Sequence, residues 1–182
     1  IRWGLTGTVP KAEYEFMGLK CSIGDVSHRI QASELQEKGV LANCHVNVLQ
    51  TQDHPQFKTY AEELKWLTTD KVRMKWVANT IKDVSSSGNT LVLVDRISAG
   101  QILQEQLDDS VFVSGSTKNM DRKEQYDEVS TATNKIIIAT YGVASIGINI
   151  PRIFNLVLIE PGKSFVRVIQ SIGRGIRKAQ DK

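Results

Sequence analysis

Thr90-Leu91-Val92-Leu93-Val94-Asp95-Arg96 is the stretch on which the fold turns. After Thr90, four apolar residues run unbroken between a loop, Ser85-Ser86-Ser87-Gly88-Asn89, and a polar pair. A strand with one wet face alternates; one covered on both faces does not. The same pattern returns downstream in Val111-Phe112-Val113, Ile136-Ile137-Ile138-Ala139 and Leu156-Val157-Leu158-Ile159. Helix-like segments separate these runs near 98–107 and 121–130, and another follows at 164–174. Upstream, Phe57, Tyr60, Ala61, Leu64 and Leu67 fall at helical spacing, as do Met74, Val77, Ala78 and Ile81 after a capping Asp70. Strand and helix taking turns imply an α/β fold, a doubly wound parallel sheet with helices on both faces.

The margins of this region are less regular. His45-Val46-Asn47-Val48-Leu49 alternates as a strand does. Residues 11–44 carry one short helix signal, with Ser33 as cap, Glu34 to Lys38 as body and Gly39 as stop. The chain opens on Ile1, and an apolar stretch runs into the glycine turn Trp3-Gly4-Leu5-Thr6-Gly7-Thr8-Val9-Pro10. That reads as the end of a buried strand whose domain lies upstream.

Of the 182 residues, 41% are hydrophobic and 24% charged, which excludes a disordered, collagenous or disulfide-dense chain. No apolar run approaches the ~18–20 residues needed to cross a bilayer, so no membrane partner is expected and the cytoplasm is the expected location. Cys21 and Cys44 fit a reducing compartment. Cys44, His45 and His54 lack a zinc spacing, so no metal site is assigned to this chain. Trp66 and Trp76 keep helical company, which favours packing over base stacking. Net charge is +3, but residues 161–182 set six cations against Asp181, a local +5 that leaves −2 for the rest. This is either a solvated helix or an anion site.

Ligands of open parallel sheets bind outside the carboxyl ends of the strands. Those ends carry Asp95-Arg96, Ser114-Gly115-Ser116, Thr140-Tyr141-Gly142 and Glu160-Pro161-Gly162-Lys163, residues suited to phosphate oxygens and close backbone approach. Gly162-Lys163-Ser164 is not a phosphate loop: Val157 stands where the first glycine belongs, and Pro161 lacks an N–H. On the helix after it, Phe165, Ile169, Ile172 and Ile176 form an apolar stripe for the core. Arg167, Gln170, Arg174 and Arg177 form a polar stripe about a quarter turn away. Arginine's fixed fork suits a polyphosphate; a plain amphipathic surface helix explains the pattern equally well.

Gln170-Ser171-Ile172-Gly173-Arg174-Gly175-Ile176-Arg177 resembles the sixth motif, Q-x-x-G-R-x-x-R, of superfamily-two helicases. Ala139-Thr140 followed by Gly147-Ile148-Asn149-Ile150-Pro151 resembles their fifth, and Leu5-Thr6-Gly7-Thr8 their third. Thr90–Arg96 sits where the fourth belongs, and Ser114-Gly115 with Arg122 resembles the G…R motif after it. Glu34-Leu35 with Gly39-Val40-Leu41-Ala42 resembles the connector of the repair and restriction-motor branch. The order is that of the family, over essentially the whole chain.

The resemblance implies two RecA-like domains with ATP between them and nucleic acid across both. Residues 1–44 would be the end of the first domain and its connector, and 45–182 the second domain. The phosphate loop and acidic magnesium motif of the first domain have no counterpart here, so ATP with Mg2+ would be held mainly by an upstream domain, this chain's expected partner alongside branched DNA. By resemblance, Arg174 and Arg177 are arginine-finger candidates, with Gln170 setting their interface. Thr6, Gly7, Thr8, Gly147 and Asn149 would couple nucleotide state to closure. Asn149 stands where many relatives have Asp, which puts a carboxylate contact to the ribose out of reach. Arg96, Ser114, Gly115, Thr140, Gly142 and Lys163 would meet the phosphates of the tracked strand. The implied activity is that of an ATP-dependent DNA helicase in recombination, repair or replication; a duplex translocase and a catalytically inert adaptor are the alternatives.

Overall fold

A computed structural model of the protein describes residues 2–10, 12–52, 55–115, 131–147, 152–160, 162 and 165–175. Four strands, β1 (Thr90–Val94), β2 (Ser110–Val113), β3 (Ile136–Thr140) and β4 (Asn155–Leu158), form one sheet in the order β2-β3-β1-β4. Every pairing is parallel: Val94 lies beside Thr140, Leu93 beside Leu158 and Val113 beside Ala139. The expected α/β parallel sheet is what forms.

β1 explains its own sequence. All five residues are buried, and they serve two cores. Val92 and Val94 pack with Met74, Val77, Ala78 and Ile81 of α4 (Lys71–Ser85) and with Ala99 and Leu103 of α5 (Ile97–Gln106). Leu91 and Leu93 point the other way, toward Tyr141, Val143 and Ala144 of α6 (Tyr141–Gly147). Successive side chains of a strand alternate faces, so a strand between two cores has to be apolar throughout. On the second face α7 (Phe165–Gly175) packs on α6 and β4; on the first, α3 (Tyr60–Thr69) packs against α4 and α5.

Local chemistry sets the helix limits. The Thr59 hydroxyl accepts from the Glu62 N–H to open α3, and the Asp70 carboxylate accepts from the Arg73 N–H at 2.9 Å to open α4, as expected of Asp70. The chain ahead of α3 folds Phe57 back onto Trp66, ring centroids 5.7 Å apart. Trp66 thus packs, but Trp76 on α4 is 47% exposed, so packing does not account for it.

Several expectations need correction. His45–Leu49 is not a strand: Val46, Val48 and Leu49 are exposed. Alternation becomes a strand only when a neighbour takes up its backbone N–H and C=O, and no strand among the described residues does so. The helix α2 (Ala32–Glu37) starts before Ser33, at Gln31, without a side-chain cap. Gly39 stops it as expected, at φ +66, where a side chain would be strained. The helix α1 (Glu13–Ile23) has no forerunner in the sequence pattern, because it buries no residue and shows little amphipathic signal. Tyr141-Gly142 is not a loop either: β3 runs directly into α6. Among the described side chains of α7, Ser171 is buried, Val168 and Ile172 are half-buried, and Ile169 is 38% exposed. Of the expected apolar stripe, Ile172 is thus partly covered and Ile169 is not, while the side chains of Phe165 and Ile176 lie outside what the structure describes. The helix expected near 121–130 lies outside the described residues. No helix among the described residues is long and apolar enough to cross a membrane.

Candidate nucleotide and nucleic-acid interface

Because the strands are parallel, their carboxyl ends share one edge. The register brings Ser114, Thr140, Val94 and Ile159 level across it, a rim ~14 Å wide at the usual strand spacing. Ser114 and Thr140 are buried there, so their hydroxyls sit low in the rim. Gly115 and Gly142 are exposed, and among the described residues a Cβ built on either would meet nothing within 4 Å. Arg96, half-buried, caps the end of β1 as the residue before α5. Five of the residues singled out in the sequence thus stand along one edge, with no described residue crowding the two glycines.

A feature that sequence reasoning missed anchors the β4 end of this rim. Glu160 adopts φ +47, a conformation uncommon for a residue with a side chain, and its carboxylate accepts from Arg73 Nη2 at 2.7 Å. Both side chains are largely buried, and the guanidinium also donates to the Leu67 carbonyl. The pair spans 87 residues of sequence and ties the start of α4 to the end of β4. It also neutralises a carboxylate that would otherwise repel anions at the edge. Nearby, Tyr141 Oη donates to the Ile159 carbonyl at 3.2 Å and fixes α6 against the same strand end. The only signal in the sequence was an acid directly after a strand, which has no partner until the fold supplies one.

Gln170 and Gly173 lie exposed on α7, three residues apart and so on one side of the helix, with Arg174 the next residue along its backbone. Arg177, Asn149 and Lys163 lie outside the described residues, and Gly147 ends α6. Thr6, Gly7 and Thr8 are elsewhere in kind: the Thr6 hydroxyl accepts from the Thr8 N–H and donates to its carbonyl, a self-contained turn. That segment leans on α1, with the Arg2 guanidinium donating to the Ser22 carbonyl. Neither α1 nor α2 contributes to the two cores of the sheet. Among the described residues no three His, Cys, Asp or Glu side chains gather as metal ligands, so these residues do not by themselves fit a magnesium site.

The model of the helicase conserved C-terminal domain matches residues 72–179, more than half of the chain. The chain belongs to that family. The helicase C-terminal domain here is 28% identical to the ATP-dependent DNA helicase UvsW of Enterobacteria phage T4, over 97% of this chain and 38% of that protein. It is 26% identical to putative helicase 22 of Sulfolobus islandicus filamentous virus, over 100% of this chain and 36% of that one. The chain therefore spans little more than a third of these curated relatives. The crystal structure of T4 UvsW superposes with a TM-score of 0.57 at 31% identity, covering 64% of this chain and 25% of that chain. The C-terminal part of the Fun30 ATPase domain superposes at 0.53, 20% identical, over 63% of this chain and 39% of that chain; at that identity it speaks for the fold alone. The sheet is thus that of a RecA-like helicase C-terminal domain, as the motifs implied, and the chain is related to UvsW in both sequence and fold.

Proposed function

We propose that this domain is the carboxyl-terminal half of a DNA motor that unwinds or branch-migrates recombination, repair and replication intermediates in the cytoplasm, that of the host if the protein is phage-encoded. The observation that carries the reading is the rim, where Arg96, Ser114, Gly115, Thr140 and Gly142 share one edge of a RecA-like sheet. Phosphates of a tracked strand would approach the backbone over Gly115 and Gly142, with Arg96 and Lys163 supplying charge. Contacts of this kind position a strand without reading its sequence, as a translocating motor needs.

In this reading residues 1–44 end the first RecA-like domain. The exposure of Trp3, Leu5, Tyr14 and Met17 supports it, since an isolated chain gains nothing by keeping such side chains in water. ATP with Mg2+ would be cradled by the upstream domain. Arg174 and Arg177 would reach across to the γ-phosphate, with Gln170 setting their interface. Closure on ATP and opening after hydrolysis would move the two domains along the strand, with Thr6, Gly7, Thr8, Gly147 and Asn149 relaying nucleotide state.

The test is strand displacement by the protein with its upstream domain, on forked and four-way DNA. ATP-dependent release of a strand from both substrates is expected. Translocation along duplex with no strand released would point to a translocase, and DNA binding with no ATP dependence to an adaptor.

A further inference from the structure

We propose that the groove between α4 and α5 is a second nucleic-acid contact, a cationic track for the sugar–phosphate backbone of a duplex arm. The inference rests on the reading of this chain as part of a DNA motor. α4 buries Met74, Val77, Ala78 and Ile81, and beside that face Lys71, Lys75 and Lys82 recur at i, i+4 and i+11. At 100° per residue the three lie within about 40° of one another, a single line along the helix. All three are exposed, and together they line a groove of about 480 Å³ with Asn79 on the same helix and Glu105 and Gln106 on α5.

An exposed lysine can pair with an acid one helical turn away, as Lys38 at the end of α2 does with Glu34 at 2.8 Å. Among the described residues no carboxylate lies within 4.0 Å of Lys71, Lys75 or Lys82, and Glu105 is the one acid on the groove. The first turn of α4 also contains no acid, and Lys71 opens the helix. A cation there meets the positive end of the helix dipole, which the capping Asp70 carboxylate offsets. Arg73, in the same turn, has Glu160 as its partner; among the described residues Lys71 has no such partner. Three exposed cations in line, without an acidic partner among the described residues, are suited to an anionic ligand.

The shape of the track identifies that ligand. Eleven residues of helix span ~16 Å, about five base pairs at 3.4 Å rise. Its Lys71 end lies near the carboxyl edge of the sheet, where neighbouring Arg73 meets Glu160, and its Lys82 end near the start of β4, where Asn155 reaches the Val84 carbonyl. The track therefore leads down from the phosphate-facing rim. Lysine is depleted at the cores of protein interfaces, and the charged lining of the groove is three lysines against Glu105, so a phosphate backbone fits it better than an acidic protein does. A branched substrate would then be held by one arm in this groove while the rim tracks a strand of another.

The experiment measures binding of this chain to a fluorescent four-way DNA junction and to a short single strand across a salt series, for wild type and for the triple variant Lys71→Gln, Lys75→Gln, Lys82→Gln. Three lost duplex phosphate contacts should flatten the junction's slope of log K against log salt by about 2.7, at about 0.9 per contact, and leave single-strand binding unchanged. The triple arginine variant should keep the wild-type slope, and an unchanged circular dichroism spectrum shows that the surface changes leave the fold intact. An unchanged junction slope would overturn the proposal, as would equal losses on both substrates. Capture of polyglutamate by the lysines with DNA binding untouched would assign the groove to an acidic protein instead. A wild type that binds neither DNA would overturn both this and the reading above.

Discussion

Asn89 shows how much one side chain can organise. It is buried just ahead of β1; its amide donates to the Ala132 carbonyl at 3.0 Å and accepts from the Lys135 N–H at 2.9 Å, just ahead of β3. Its backbone carbonyl accepts from Phe154 and Asn155, where β4 begins. One residue thus sets the start of the three adjacent strands β3, β1 and β4. Asn89→Ala should cost about 2–3 kcal/mol, because it breaks two bonds and strands their partners. At about 2–4 °C per kcal/mol for a chain of this size, thermal unfolding should fall by roughly 5–10 °C. A loss below a degree would show that solvent replaces both bonds. Asn89 reads in the sequence as one more loop residue after Gly88, because its partners lie more than 40 positions away.

Among the elements, legibility follows burial on two faces. β1 and the inward residues of α4 were readable because one element's own periodicity records two cores or one. α1 was not, since a helix that buries nothing leaves no stripe, and the alternation of 45–49 misled because pairing depends on a neighbour rather than on the segment. Of the candidate site, the rim was readable from the small, polar and basic residues at the carboxyl end of each strand, whereas the Arg73–Glu160 pair needed the fold to bring its ends together. Close packing between elements can be tested at Gly100 of α5. A Cβ there would fall 2.3 Å from the edge of the Phe112 ring on β2. Gly100→Ala gains helix propensity but overpacks this contact, and a net loss of about 1–3 kcal/mol is expected in urea unfolding. Stabilisation would mean that the ring moves aside freely.

For the whole molecule, the central claim is that catalysis is shared across two domains of which this chain supplies one. The chain alone should hydrolyse no ATP, with or without DNA, because the triphosphate cradle and metal ligands would lie on the other domain. DNA-stimulated turnover by a preparation free of contaminating ATPases would contradict that. The most direct measurement is ATP turnover by the protein with its upstream domain, comparing wild type with Arg174→Ala and with Arg177→Ala. An arginine finger accounts for about 10³–10⁵ in rate, or about 4–7 kcal/mol of barrier. Each variant should lose DNA-stimulated turnover on that scale while still binding DNA; turnover near wild type in both would contradict the account and leave the polar stripe expected from the sequence as surface.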